Sequence, residues 1–191
     1  MRSLELFWFS FAALSWLSCA SGPSASGRKP ADLSPRSLYP LQEGAAWSYD
    51  VDAGDGEPPV LATTRVLRVQ GTSVEVQSGQ AVLRYALLPE GIKRVEAGTY
   101  LLRVPIELGR EWPAGLNAQA RVTAVDQLLQ TPAGAFESCA VVTETGGDSG
   151  RKVTTTYCPG VGPTRVESEM EVRGKLLRVT ATLRGYSLEP L

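Results

Sequence analysis

The chain has no histidine among its 191 residues, and it is poor in cysteine, with three, and in aromatic residues, which make up 7%. Without imidazole there is no Ser-His-Asp triad, no Cys-His pair and no His-ligated zinc. Basic side chains are also too few for a nucleic-acid protein. The 19 Lys and Arg face 20 Asp and Glu, for a net charge of −1, whereas phosphate neutralisation needs a basic surface. We therefore expect no nucleic-acid partner.

Long apolar runs are absent except for one near the N-terminus. Leu6 to Leu17 is apolar apart from Ser10 and Ser15, and Arg2 precedes it. Such a run is too short to cross a bilayer of about 30 Å as a helix, but it suits the apolar core of a signal peptide. We therefore predict that residues 1–18 form a signal peptide.

The end of this run, Leu17-Ser18-Cys19-Ala20, resembles the lipobox of bacterial lipoproteins. In that family a small residue precedes a cysteine that is diacylated through its thiol, and the signal is cut just before it. Ser18 and Cys19 match, whereas Trp16 and Leu17 depart from the usual residues. The resemblance implies an acyl anchor such as palmitate on Cys19 and a membrane as partner. The alternative is cleavage after Ala20, which the small-x-small rule allows and which would release a soluble secreted protein.

The segment after the lipobox is rich in Ser, Pro, Gly and Ala, and residues 20–37 contain one Leu. It cannot bury enough apolar surface to offset its ordering entropy. We expect residues 19–37 to form the lipid-anchor cysteine and a disordered tether, and residues 38–191 to form the folded domain. Ala20 is not the Asp that retains lipoproteins at the inner membrane of enteric bacteria, so an envelope location at the outer membrane is favoured.

The two remaining cysteines belong to a predicted hairpin. Residues 136–145 and 152–158 are typical of strands and flank a Gly-rich turn at 146–150. A hairpin centred between Asp148 and Ser149 pairs residues whose numbers sum to 297, which places Cys139 opposite Cys158. Opposed positions come within disulfide range, and an exported protein meets an oxidising compartment. We therefore predict a Cys139–Cys158 disulfide, with two buried free thiols as the alternative.

From residue 45 onward the pattern is one of short alternating runs separated by Gly, Pro, Asn or Asp. This spacing predicts an all-β antiparallel sandwich or barrel with one face of the sheet covered. Gly185 is predicted to form a bulge that returns Tyr186 and Leu188 to the buried face. Apart from the cysteine hairpin, the predicted strands are 60–69, 72–77, 80–88, 91–96, 99–104, 118–129, 164–172 and 176–187.

One motif, P-[LI]-x-x-G-x-x-W, occurs at Pro40 to Trp47 and again at Pro105 to Trp112. Each copy is expected to form a tight turn on its Gly that places the Trp on the apolar side of the next strand. The repeat favours a body built from two related β-halves, the second beginning near Thr99. Chance similarity is the alternative, since four positions per copy are constrained.

These segments together resemble a family of uncharacterised bacterial secreted and lipid-anchored proteins with a single antiparallel β-domain. The family's signatures PLxxGxxWxY, PAGxFxxC and PGVG match residues 40–49, 132–139 and 159–162, and the resemblance covers about residues 39–188. It implies a strongly curved sheet or half-open barrel behind a lipoprotein signal. It implies no reaction.

Two clusters of acidic residues are candidates for metal binding or catalysis, and neither has the pattern that such a site requires. Residues 50–57 contain four carboxylates, but their spacing departs from a calcium loop, so a solvated loop is expected. Glu167, Glu169 and Glu171 alternate along a predicted strand and are expected to line a wet face, answered by Lys175, Arg178 or Arg184. We predict no catalytic, metal-binding or cofactor-binding residue.

The aromatic residues of the domain define the last candidate site, a core or an apolar cavity. We expect an envelope lipoprotein whose non-enzymatic β-domain acts in binding or structural interactions, with an envelope protein or hydrophobic ligand as partner. The alternative is a carrier that holds a lipid in a half-barrel. A continuous apolar cavity above about 300 Å³ favours the carrier, and a filled interior favours the interaction module. The candidate residues are Trp47, Tyr49, Trp112, Phe136, Tyr157 and Tyr186.

Overall fold

The computed structural model describes residues 31–115, 117–147, 150–172 and 174–189. The predicted signal peptide, Cys19 and most of the predicted tether lie outside these residues. One short helix and twelve strands make up the described part of the chain, in agreement with the predicted all-β class. The elements are α1 (Pro35–Leu38), β1 (Ala46–Asp52), β2 (Val60–Gln70), β3 (Ser73–Ser78), β4 (Ala81–Leu88), β5 (Gly91–Arg94), β6 (Thr99–Arg103), β7 (Glu111–Gly115), β8 (Ala118–Thr131), β9 (Gly134–Gly146), β10 (Arg151–Cys158), β11 (Gly162–Val172) and β12 (Lys175–Ser187).

All twelve strands belong to one antiparallel sheet in the order β6-β5-β4-β3-β2-β1-β12-β11-β10-β9-β8-β7. The sheet curls until it is nearly closed into a barrel, with one unsealed seam between its edge strands, β6 and β7. Side chains bridge this seam: Trp112 Nε1 donates to the Tyr100 carbonyl at 3.0 Å, and Thr99 Oγ1 donates to the Ala114 carbonyl at 3.2 Å. Short edges with a proline at Pro113 resist pairing with another chain.

Ordered structure begins earlier than residue 38, the predicted start of the domain. Ser34 accepts a hydrogen bond from the Ser37 amide as the N-cap of α1, and Pro35 occupies the first turn, an arrangement that starts a helix at low cost. Pro35 and Leu38 are buried. The amino-acid composition of residues 31–37 predicts a tether, because a single capped helical turn has no signature in composition.

The strands predicted from alternation are confirmed, with ends that agree or are shifted by at most two residues. Two strands were missed, β1 and β7. β1 ends in the acidic segment that indicated a loop, and β7 contains Pro113 and Gly115, which weaken any strand pattern. Each begins inside a copy of the repeated motif, one residue before its Trp.

The two copies of the motif share a local structure. Gly44 and Gly109 have φ of 82° and 83°, the left-handed region that favours glycine. In each copy the next amide donates to the carbonyl two residues before the glycine, at 3.1 and 3.0 Å. The glycine amide donates to a valine carbonyl of a following strand, Val66 in the first copy and Val122 in the second. The turn predicted for each copy is therefore present.

The predicted hairpin register is confirmed. β9 and β10 pair residues whose numbers sum to 297, as in Thr155 with Val142 and Tyr157 with Ala140. The register continues to Cys139 and Cys158, whose Cα atoms are 4.2 Å apart and whose sulfurs are bonded.

The bulge in β12 is present and returns Tyr186 to the face of its partner Trp47, but Tyr186 is not buried there. The β1–β12 register shifts where Ser48 faces Gly185 and Tyr49 faces Leu183, which leaves Arg184 as the extra residue. Tyr186 is 42% exposed, because it lies near the end of the strand, where its ring contacts Phe136 (centroids 6.2 Å apart). In the described ranges, no helix has the length and apolar character needed to cross a membrane.

Candidate functional site

The interior of the barrel is filled at one end, which we call the closed end. Trp47 is 1% exposed and donates from Nε1 to the Val161 carbonyl at 2.7 Å. Tyr49 donates its hydroxyl to the Pro163 carbonyl at 2.9 Å, and the Gly160 amide donates to the Ser37 carbonyl at 2.8 Å, which fixes α1 beside them. The PLxxGxxWxY and PGVG segments are therefore in direct contact.

The opposite end of the barrel carries apolar side chains on its inner face. Directly paired strand residues share a face, and the ladders place Val51, Val60 and Ala181 on the face that carries Trp47 and Tyr49. Several of these residues are exposed, with Val60 at 68% and Leu83 at 39%. We call this set the mouth: Val51, Val60, Ala62, Leu83, Val166, Val179 and Ala181.

A cavity of about 270 Å³ lies between the mouth and the closed end. Its lining includes five residues of the mouth and three tyrosines, Tyr39, Tyr49 and Tyr85. None of the described residues that line it is an acid, a lysine or an arginine. The other lining residues are Thr64, Val76, Ser78 and Pro163.

Three tyrosines lie among the hydroxyl-bearing residues of the cavity, with Thr64 and Ser78. Burial raises the pKa of Tyr39 well above its usual value, and the nearby hydroxyls of Tyr85, Tyr49 and Tyr157 raise it further. Burial likewise raises the pKa of Tyr49, Tyr85 and Tyr157. The surroundings therefore favour neutral phenols over phenolate anions.

An ion pair crosses the interior near the cavity. Arg94 on β5 donates two hydrogen bonds to Glu144 on β9, at 3.1 and 2.6 Å, and both side chains are mostly buried. Burial lowers the pKa of Arg94, but the hydrogen bonds and charge of Glu144 outweigh that effect and raise it. Because β5 and β9 lie on opposite sides of the seam, the pair links the two sides of the barrel.

The aromatic residues predicted from sequence separate into three groups. Trp47, Trp112 and Tyr157 are core residues with at most 2% exposure, and Tyr49 is the only one of the six that lines the cavity. Phe136 is partly buried and Tyr186 is exposed. Phe136 and Tyr186 pack against each other, and neither lines the cavity.

The two acidic clusters are engaged in local contacts. Asp52 and Asp55 accept hydrogen bonds from amides of their own loop, and Asp50 pairs with Arg184 at 2.8 Å. In the second cluster, Glu169 pairs with Arg178 and Lys152. The hydrogen bonds from these two cations, Arg178 first, hold the pKa of Glu169 below its usual value.

Sequence reasoning missed Tyr39, Tyr85, Arg94 and Glu144. Tyr39 lies at the edge of the predicted tether, and Glu144 is 50 residues from Arg94, so no local pattern shows that these two meet the others. Tyr85 and Arg94 are direct partners across the local β4–β5 hairpin. The alternation of Leu83, Tyr85 and Leu87 with polar residues does place Tyr85 on an inner face.

No family model and no curated protein sequence matches the chain at a significant level. Among solved structures, the chain is similar to a protein from Bacteroides fragilis that is described as an exported protein with a YmcC-like fold. The TM-score is 0.44 and the sequence identity 18%, and the match covers 78% of this chain and 98% of that one. It is also similar to a protein assigned as a lipoprotein from Parabacteroides distasonis, with a TM-score of 0.43, 15% identity and the same coverage of both chains. Overlap at this level does not establish a family, and each description belongs to the protein that bears it.

Proposed function

We propose that this chain is a lipid-anchored protein of the bacterial envelope whose β-domain acts by binding an apolar group at the mouth, and not by catalysis. The observation that carries the proposal is the exposure of apolar side chains on the inner face at one end of the barrel. Val60, Leu83 and Val179 are 68%, 39% and 39% exposed there. Exposed apolar surface of this kind, in a concave site, is typical of interaction sites.

Binding without catalysis is supported by the chemistry that the mouth offers. Its residues are aliphatic, and the chain as a whole has no histidine to act as a base near neutral pH. The interior charged pair, Arg94 and Glu144, is bonded to itself.

The size of the cavity favours an interaction module over a carrier that encloses its cargo. Pockets that enclose a drug-sized ligand span about 300–1,000 Å³, and this one is about 270 Å³. The bound group is therefore expected to enter in part, with the remainder outside the mouth. The carrier is the second candidate, because the cavity and the mouth are continuous through Val51, Ala62 and Leu83.

A neutral apolar dye tests binding at the mouth. The full chain, freed of detergent by reconstitution in peptidiscs, is titrated with N-phenyl-1-naphthylamine while fluorescence is followed. Ala62→Trp should fill the mouth and weaken binding at least tenfold. Thr63→Trp is the matched control, because Thr63 is exposed and its side chain lies on the outer face. Equal binding by both variants would refute the mouth as the site.

The lipid anchor is tested separately. Labelling of cells with a palmitate analogue should mark the wild-type chain and not Cys19→Ala, and globomycin should cause the unprocessed form to accumulate. Fractionation then tests the favoured outer-membrane location. A chain of unchanged size and solubility after either treatment would support cleavage after Ala20.

A further inference from the structure

Two hydroxyl groups in the cavity have no hydrogen-bond partner in the described part of the protein. Tyr39 and Tyr85 are 5% and 8% exposed, and within the described ranges neither hydroxyl donates or accepts a hydrogen bond. Every fully enclosed side-chain nitrogen or oxygen among the described residues does have a partner. The two hydroxyls therefore border open space, and the cavity is lined by both residues.

A phenol hydroxyl that borders an apolar cavity finds a hydrogen-bond partner only in what enters the cavity, and a donor left without a partner there is disfavoured. Tyr49 shows the contrast, because its hydroxyl donates to the Pro163 carbonyl. The Tyr39 and Tyr85 hydroxyls are thus donors available to a ligand at the deep end of the cavity, below the aliphatic side chains of the mouth.

The charge of that ligand group is restricted by its surroundings. Arg94, the cross-strand partner of Tyr85, already binds Glu144 through two hydrogen bonds. An anion at the deep end would lose its hydration without gaining a free cation. A neutral acceptor such as an ester carbonyl satisfies the two phenols without that cost.

We infer that the cavity binds a single acyl chain whose neutral carbonyl accepts hydrogen bonds from Tyr39 and Tyr85, with the chain leading out through the mouth. At about 30 Å³ per water-sized unit, a volume of 270 Å³ holds on the order of ten heavy atoms. A medium-length acyl ester fits this volume. The inference rests on the proposed function, and it adds the chemical class and the orientation of the ligand.

The test compares three eight-carbon probes as competitors of the bound dye: methyl octanoate, octanoate and octane. The wild-type protein in peptidiscs should bind the ester about 3- to 10-fold more tightly than the alkane, the range expected for one net hydrogen bond. Octanoate should bind more weakly than the ester at pH 8.

The variants Tyr39→Phe and Tyr85→Phe, single and combined, should remove the advantage of the ester over the alkane while dye binding persists. The control is Tyr186→Phe, because Tyr186 is exposed and does not line the cavity. If the dye binds but the ester has no advantage, or keeps it in the double variant, the inference is overturned and the proposed function stands. If the dye does not bind, both are overturned.

Discussion

At the scale of single residues, Gly162 sets how closely β11 can approach Trp47. Its φ is 114°, and a Cβ added there would lie 2.9 Å from Trp47 Nε1, the atom that donates to the Val161 carbonyl. A side chain at this position would strain the backbone and displace the indole.

Gly162→Ala should therefore lower the free energy of unfolding by roughly 2–4 kcal/mol, the sum of backbone strain and one lost hydrogen bond. Gly160→Ala is the matched control: its φ is 70°, and no atom lies within 4 Å of the added Cβ. The control variant should lower the free energy of unfolding by about 1 kcal/mol. Equal losses in urea unfolding of the two variants would contradict the role given to Gly162.

The Arg94–Glu144 pair is the second feature at this scale. Glu144→Gln leaves a mostly buried guanidinium without its counter-charge, and we expect a loss of roughly 2–3 kcal/mol, somewhat below the value for a fully buried pair. Glu96→Gln, which breaks the exposed Arg84–Glu96 pair, should leave stability almost unchanged, because solvent screens the pair. Urea unfolding of both variants measures the difference, and similar effects would show that burial does not strengthen the interior pair.

Some contacts between individual residues could be predicted from the sequence, and others could not. The cysteine pairing was accessible because the hairpin is local and its Gly-rich turn fixes the register. The meeting of Arg94 with Glu144 was not accessible, since it depends on how far the whole sheet curls. The sequence likewise does not show that the hydroxyls of Tyr39 and Tyr85 lack partners, because Tyr39, just after α1, and Tyr85, on β4, meet at the cavity only in the folded chain.

At the scale of elements, the β9–β10 hairpin is the best-defined unit. It joins the cysteine bridge at one end to a Gly-rich turn at the other, and β8 and β11 pair with its outer edges. The bridge closes a loop of about 20 residues, and the chain-entropy model predicts that such a bridge stabilises the folded state by about 3 kcal/mol.

Reduction of the Cys139–Cys158 bond should therefore lower the free energy of unfolding by about 3 kcal/mol. Urea unfolding with and without dithiothreitol measures the change. A Cys139→Ala/Cys158→Ala variant should be insensitive to the reductant. A wild-type protein of equal stability in both conditions would contradict the contribution assigned to the bridge.

The strands themselves were largely predictable because alternation and turn residues are local signals. β1 and β7 were not, since an acidic tail and a proline conceal them. The partners of each strand are given by the order of the sheet, which places β1 beside β12 although these strands are far apart in the chain. Such pairing joins two distant parts of the chain in the middle of the sheet and leaves no trace in any single strand.

At the scale of the whole molecule, four of the six tyrosines are buried as neutral phenols, Tyr39, Tyr49, Tyr85 and Tyr157. Their pKa values are raised in the folded state. The resulting stability is fully present below the unfolded pKa of about 10 and is lost as the pH rises through the higher folded values.

Stability should therefore fall steadily above about pH 10, by up to about 1.4 kcal/mol per pH unit for each buried tyrosine. Denaturant titrations between pH 8 and 11.5 measure the slope. Absorbance at 295 nm provides the control, because the folded protein at pH 11 should show less tyrosinate than the unfolded chain. Equal tyrosinate signals would contradict the burial of these phenols.

The closed end and the mouth give the barrel a direction. α1 is held at the closed end through Ser37, so the chain enters the domain there, and the mouth lies at the other end of the strands. In a lipid-anchored protein this arrangement presents the mouth away from the point at which the chain enters the domain.

The central claim is that the inner face of the mouth is where this protein binds its partner. Amide shifts of the isotopically labelled full chain during titration with N-phenyl-1-naphthylamine test it most directly. We predict saturable shifts that concentrate at Val51, Ala62, Leu83 and Ala181 and leave the seam strands β6 and β7 unchanged. Shifts centred on the closed end or the outer face, or no saturable shifts, would contradict the claim.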